Sequence, residues 1–337
     1  MPKNKNYFPV NTLAPTDQGL TVFAKKVVGA KSDGFAIVDN GKVFVIDVGK
    51  ADDTELIDFL IELRKSWLGD ARLPVGEVAK LELTLIVSHA HPDHIAALPL
   101  LLEDDRFCVT DIYAPTRSYL SLDVPGALPN LTKYENRLIH ACQNLAEQGH
   151  TAKGITRVPY GKPISLAMES ADAILKIYPS HIDWALERPS DKEGLRFILN
   201  NNPESYKDIP EKGYTNGILN GNSLWVKVIK GERSVLFTGD QRDCDEMLGA
   251  MIRHYGEEEF ICDVLKIPHH GEGNYSPYLI GVANPKFTVF TTSYEKAMPD
   301  TVRLCEERGC LNYYTCDGNL FFFVDGKQIK PFGIEPR

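Results

Sequence analysis

The stretch Ser88 to His94, SHAHPDH, concentrates more chemistry than any other part of the chain. His89, His91, Asp93 and His94 put three of the nine histidines and a carboxylate into six residues. Neutral imidazole is a good ligand for zinc, manganese or iron, and a carboxylate adds charge and can orient a bound water. On a tight turn, four such side chains can project toward one or two divalent cations. A bound cation lowers the pKa of water from about 15.7 to about 7, so this chemistry is hydrolysis at neutral pH. The ordinary alternative is a polar loop with surface histidines. The clustering, directly behind the apolar run Leu83 to Val87, weighs against it.

That run suits a strand buried on both faces, with the cluster at its end and a helix from Ile95 to Leu102 beyond. Upstream, TVFAKKVV, GFAIVDN and GKVFVIDVG read as strands, with Asn40-Gly41 as a hairpin turn. Leu56, Ile57, Leu60, Ile61, Leu63 and Leu68 give residues 51–68 an amphipathic helical period, opened by Asp52, Asp53 and Thr54. Val109 to Tyr113 is the next strand, and residues 119–150 are mostly helical in pattern. Polar, Pro- and Gly-rich sequence through 151–215 reads as a lid or surface excursion. A second β-rich block follows: SLWVKVIK, a Gly231-Glu232 turn and SVLFTGD, then a helix over 243–255, DVLKIPHHG, KFTVFTTS and a helix over 300–308. LNYYTC, DGN and LFFFVDG are expected to close the chain as a hairpin. Strands precede polar clusters in both halves, which predicts an α/β fold: two sheets face to face, helices outside, and the site at one edge.

The chain has 337 residues, 43% hydrophobic and 25% charged, which excludes wholesale disorder. Against 37 basic side chains stand 46 acidic ones, a net charge of -9, so the balance gives no support to a nucleic-acid partner gripped by a broad basic surface. Lys25, Lys26 and Lys31 are too sparse for such a patch and are read as solvated. No apolar run reaches the ~20 residues of a membrane span, and MPKNKNYFPV does not read as a secretory signal. Seven cysteines without a CxxC pair fit reduced thiols and a cytoplasmic setting.

HxHxDH after a strand, with SVLFTGD and DVLKIPHHG downstream in that order, resembles the metallo-β-lactamase superfamily. FVIDVG, with Asp47 and Gly49, resembles its strand and turn before the first helix. NGNSLWVKV, with Asn220 and Ser223, together with DVLKIPHHG and TCDGNLFFFV, looks like the hydrolase domain of the competence channel ComEC and its soluble relatives. The resemblance spans residues 20–325, leaving an extension over 1–19, an insertion of helices and loops about 119–215, and a tail over 326–337. It implies a four-layer αββα sandwich and a hydrolase with two divalent ions, zinc or manganese. His89 and His91 would hold the first ion, Asp93 and His94 the second, and Asp240 would bridge them. A hydroxide held between the ions would attack a phosphodiester in DNA or a nucleotide. Of the pair at the end of DVLKIPHHG, His269 is the favoured ligand. Its neighbour His270 would be a proton donor or a packing residue, and Asp93, His269 and His270 form the catalytic set.

The chain departs from the family in three places. Asn220 and Asn222 stand where a third histidine usually serves the first ion, so that site is expected to be weak, with His181 as a conceivable substitute. Glu272 replaces the serine after HHG, and Met298-Pro299 replaces a later His-Pro. Two alternatives therefore stay open: hydrolysis of a non-phosphate ester or amide, and a decayed binding or regulatory module on the same fold.

Overall fold

A computed structural model describes residues 19–69, 79–116, 136, 139, 155–159, 161–179, 220–241, 244–273 and 276–337. Eight strands form the first sheet: β1 (Leu20–Ala24), β2 (Gly34–Asp39), β3 (Lys42–Val48), β4 (Leu81–Ile86), β5 (Phe107–Pro115), β6 (Ile155–Val158), β14 (Leu320–Val324) and β15 (Ile329–Phe332). Their order is β15-β14-β1-β2-β3-β4-β5-β6. The second sheet holds seven: β7 (Ile164–Ala167), β8 (Ala173–Tyr178), β9 (Trp225–Lys230), β10 (Arg233–Phe237), β11 (Val264–Lys266), β12 (Phe287–Phe290) and β13 (Leu311–Tyr314). They run in the order β13-β12-β11-β10-β9-β8-β7.

Each sheet is antiparallel in one half and parallel in the other. The β3-β4-β5-β6 and β10-β11-β12-β13 ladders are the parallel ones. Period-two alternation sorts the side chains. Phe44 and Ile46 of β3 face the second sheet, where Val226, Val228, Val235 and Phe237 meet them. Val43 and Val45 face outward onto Leu56, Phe59, Leu60 and Leu63 of α1 (Glu55–Leu68) and Leu98 and Leu101 of α3 (Leu98–Leu102). Phe35 and Phe237 bring their ring centres to 4.8 Å across the gap between the sheets. On the far side, Trp225, Leu236 and Leu265 pack against α4 (Cys244–Tyr255), α5 (Pro277–Ala283) and α6 (Pro299–Glu307). Three apolar layers thus separate four layers of secondary structure, the αββα sandwich. Among the described residues no helix is long and apolar enough to cross a membrane.

The Asn40-Gly41 turn forms as its residues dictate, both with positive φ (42° and 97°). Two expectations need correction. Within the segment read as an insertion of helices and loops, residues 155–178 supply β6, β7 and β8, which extend both sheets. Runs of four residues such as ITRV and ISLA at sheet margins carry too little periodicity to stand out. The terminal LNYYTC and LFFFVDG are not a hairpin: β13 edges the second sheet beside β12, whereas β14 pairs with β1 in the first. A 3-10 turn at Thr315–Asp317 redirects the chain between sheets, and the tail returns as β15 against β14.

Candidate metal centre

The chemistry collects where the parallel halves end. Asp47 is the penultimate residue of β3, His89 to His94 follow β4, Asp240 follows β10, His269 and His270 follow β11, and Thr291 follows β12. Asp33 precedes β2, which runs antiparallel to β3, so it reaches the same edge. Carboxyl ends of parallel strands are the usual place for loops that bind ligands.

Pro92 sets the local geometry of the cluster. It is the first residue of α2 (Pro92–Ile95), so His91 before it stays extended (φ -73°, ψ 150°), while Asp93 and His94 enter the helical turn. His89 and His91 therefore share one side: His89 Nε2 and His91 Nδ1 face each other at 2.9 Å. On the other side, His94 Nε2 lies 3.3 Å and His270 Nε2 3.0 Å from the same Asp240 Oδ2. Asp93 Oδ2 is 3.3 Å from His270 Nε2. Neither His94 Nε2 nor His270 Nε2 makes a hydrogen bond of acceptable geometry, although both are buried.

Their opposite ring nitrogens are fastened. His94 Nδ1 contacts Asp47 Oδ2 at 2.7 Å, and Asp47 Oδ1 accepts from the Ser88 amide at 2.8 Å. His270 Nδ1 contacts Asp33 Oδ1 and Thr291 Oγ1, each at 2.9 Å. A carboxylate behind each imidazole fixes its orientation and leaves Nε2 to carry the lone pair, the arrangement that tunes metal-binding histidines. Asp33, His94, Asp240 and His270 all bring a donor atom within 4.8 Å of one another. Asp33 is the outer member of that group, because its oxygens already serve His270, Thr291 and Lys266.

Electrostatics divide the histidines into two pairs. Burial, helped by neighbouring imidazoles, holds His89 well below its usual pKa, and burial brings His91 down to about 4. Burial also opposes charge on His94 and His270, but Asp240 with Asp47, and Asp240 with Asp33, outweigh it. His94 is raised well above the imidazole range and His270 to about 9. Asp33, Asp47 and Asp240 act on one buried ammonium, Lys266, which lies 2.5 Å from Asp33 Oδ2 and 3.4 Å from Asp240 Oδ1, and Asp93 adds a fourth carboxylate beside His270. Convergent Nε2 atoms, oriented rings and this excess of carboxylate fit a divalent cation.

Sequence reasoning favoured His269 as the ligand, but the ring beside Asp240 is that of His270. Both histidines have left-handed backbones (φ 49° and 60°), so the chain turns sharply after Pro268 and the strand rule of opposite faces does not apply. His269, half-buried, points its Nε2 toward Lys31 Nζ at 3.4 Å. Lys25 also corrects an expectation: it is buried, pairs with Asp53 and donates to Ser32 Oγ at 3.0 Å. Its stem runs between Gly34 and Gly49, where an added Cβ would come within 2.7 Å of Lys25 carbons. Asp33, Lys266 and Thr291 went unread, hidden in a polar loop and at the ends of apolar runs.

Near the first pair, Ser223 Oγ accepts from the Asp240 amide at 3.1 Å and lies 3.4 Å from His89 Nδ1. Asn220 Oδ1 is buried without a hydrogen-bond partner, while Asn222 donates to Thr116 O at 3.0 Å. The Glu272 carboxylate accepts from Thr292 Oγ1, and the Met298 amide donates to Gly271 O at 2.8 Å. His181 lies outside the described residues.

The layer order, the strand topology and a histidine–aspartate cluster at the strand ends together describe the metallo-β-lactamase fold. No family model and no curated protein matches the sequence. Among solved structures, the chain is similar to the metallo-β-lactamase fold protein YhfI from Bacillus subtilis, at 9% identity over 88% of this chain and 95% of that one (TM-score 0.42). It is also similar to Tm1679, a metal-dependent hydrolase of the β-lactamase superfamily, at 13% identity over 94% and 99% (TM-score 0.44). The short form of human tRNase Z aligns at 13% identity over 81% and 92% (TM-score 0.39).

Proposed function

We propose that this protein is a metal-dependent hydrolase of phosphodiesters. The observation that carries the metal is the convergence of His94 Nε2 and His270 Nε2 on Asp240 Oδ2, each ring held from behind by a buried carboxylate. Asp93, His94, Asp240 and His270 would hold one ion. His89 Nε2 and His91 Nδ1 would hold the other, sharing Asp240. Divalent ions bound there supply Lewis-acid polarisation of the phosphoryl group and an acidified water.

The chain's own residues do the positioning. Lys266 engages Asp240 Oδ1, which leaves Oδ2 to the centre. Ser223 fixes the Asp240 backbone and steadies His89. Asp93, the partly exposed acid, orients the attacking water. His269, at the opening, gives its proton to the leaving oxygen as the phosphorus–oxygen bond breaks. The sequence resemblance to the competence hydrolase domain supports DNA or a nucleotide as the phosphodiester. The free thiols of Cys108, Cys262, Cys305, Cys310 and Cys316 support a reducing, cytoplasmic setting. A second reading, a centre with only one ion firmly held, is favoured by the unpartnered amide oxygen of Asn220 in place of a histidine.

The test is metal content per chain on protein purified without chelator, beside an Asp93→Ala, Asp240→Ala double variant. It is followed by turnover of bis(p-nitrophenyl) phosphate, DNA and cyclic dinucleotides against a His91→Ala control. Two ions lost in the double variant, with turnover above the control, support the proposal. One ion supports the second reading. Bound metal with turnover only of lactones or thioesters removes the phosphodiester.

A further inference from the structure

The described residues of the centre differ in how far they meet solvent. His89, His94, Asp240 and His270 are sealed, while Asp93 is 17% and Lys31 29% exposed, with His269 half-buried beside them. Lys31 does not sit there by accident of a surface loop. The next two residues are bolted to the cluster: Ser32 Oγ and the Asp33 amide both donate to the Asp93 carbonyl, at 3.2 and 3.1 Å. Ser32 Oγ in turn accepts from Lys25 Nζ and the Lys50 amide. Asp33 then turns inward behind His270, which carries Lys31 to the lip with its ammonium 3.9 Å from Asp93 Oδ2 and 3.4 Å from His269 Nε2.

Two other lysines at this edge, Lys25 and Lys266, each have a buried carboxylate of their own, Asp53 and Asp33. Among the described residues the carboxylate that Lys31 faces is Asp93, at 3.9 Å, an acid whose charge a cation in the centre would take up. An exposed pair at that distance does little for stability. A fixed positive charge over the opening does act on whatever enters.

We propose that Lys31 is a specificity-determining residue that binds the anionic, non-bridging oxygen of a phosphodiester beside the scissile bond. This rests on the phosphodiester reading above, and it separates that class from neutral lactones and thioesters, which offer no such oxygen. A guanidinium can replace the ammonium as donor; an amide cannot replace its charge.

The experiment uses full-length metal-loaded protein with Lys31→Gln and Lys31→Arg. Inorganic phosphate binding is measured by calorimetry, and kinetics are followed on bis(p-nitrophenyl) phosphate and on p-nitrophenyl acetate. Lys31→Gln is expected to keep its metal, to weaken phosphate about tenfold and to raise KM for the phosphodiester more than it lowers kcat. The ratio of kcat/KM for the anionic over the neutral ester should fall about tenfold, and Lys31→Arg should recover most of it. Unchanged phosphate affinity, equal losses on both esters, or wild-type protein that binds no phosphate at millimolar concentration overturns the assignment. Phosphate binding that depends on Lys31, without turnover of any phosphodiester, leaves the assignment standing and removes the hydrolase reading instead.

Discussion

Replacing Asp47 by Asn alters one atom and inverts the instruction that His94 receives. The backbone accepts the change, because Asp47 has φ 56° and asparagine tolerates that region as well as aspartate does. The amide oxygen can keep the Ser88 amide, now held at 2.8 Å. The amide nitrogen then takes the place of Oδ2 and presents hydrogens to His94 Nδ1, 2.7 Å away. A donor facing a donor drives the ring to the tautomer protonated on Nε2, which has no lone pair for a cation. Loss of such a partner lowers metal affinity by about 10- to 100-fold, or about 1.4 to 2.8 kcal/mol. The assay is competition for zinc against a chromophoric chelator, with circular dichroism to confirm the fold. His94→Ala sets the reference, and the Asp47→Asn, His94→Ala pair completes a double-mutant cycle. Asp47 acts through His94, so the double variant should bind no worse than His94→Ala alone. Wild-type affinity in Asp47→Asn, or additive losses in the cycle, would refute the reasoning.

Separating the adjacent histidines is direct: His270→Ala should lose an ion by elemental analysis, whereas His269→Ala should keep its metal and lose turnover. The reverse pattern would restore His269 as the ligand. Because His270 titrates at about 9 in the metal-free protein, metal binding at neutral pH must displace its proton, and apparent affinity should rise with pH up to about 9. Calorimetry in buffers of different ionisation enthalpy should show that release; identical heats would exclude it. The folded value lies above the unfolded 6.5, so His270 stabilises the metal-free protein fully below 6.5, and this contribution disappears as pH rises through about 9. Lys25→Met leaves Asp53 buried without its cation and should cost about 3–5 kcal/mol in urea unfolding. Adding Asp53→Asn should recover part of that loss, and no recovery would place the effect in packing rather than charge.

Residues 89–94 stood out because donor groups were dense and close in sequence, and the strand before them was marked by an unbroken apolar run. The outer acids carried no such mark. Asp33 is separated from His270 by most of the chain, and KSDG reads like any polar turn. Lys266 ends the run VLK, where a lysine ordinarily signals the strand's exit to water rather than a buried ammonium. Choosing between His269 and His270 depended on two left-handed backbones that period-two reasoning excludes. β13 and β14 each had a legible strand pattern. Which sheet each joins is a tertiary fact, set by the 3-10 turn between them and by the partners waiting at β12 and β1.

The stem of Lys25 occupies the volume that side chains at positions 34 and 49 would need, and this couples the three positions in descent. Gly49 is bound to glycine by its φ of 89°, by the lysine beside it and by Ser32 Oγ, 2.8 Å from where a Cβ would stand. Gly34 has no positive φ and is held to glycine by Lys25 alone, so a shorter residue at 25 would release it. Once position 34 had gained even a methyl group, a returning Lys25 would have to shift its stem away from its present path. The loop that carries Lys31, Ser32 and Asp33 to the centre therefore depends on an order of substitutions that runs easily in one direction only.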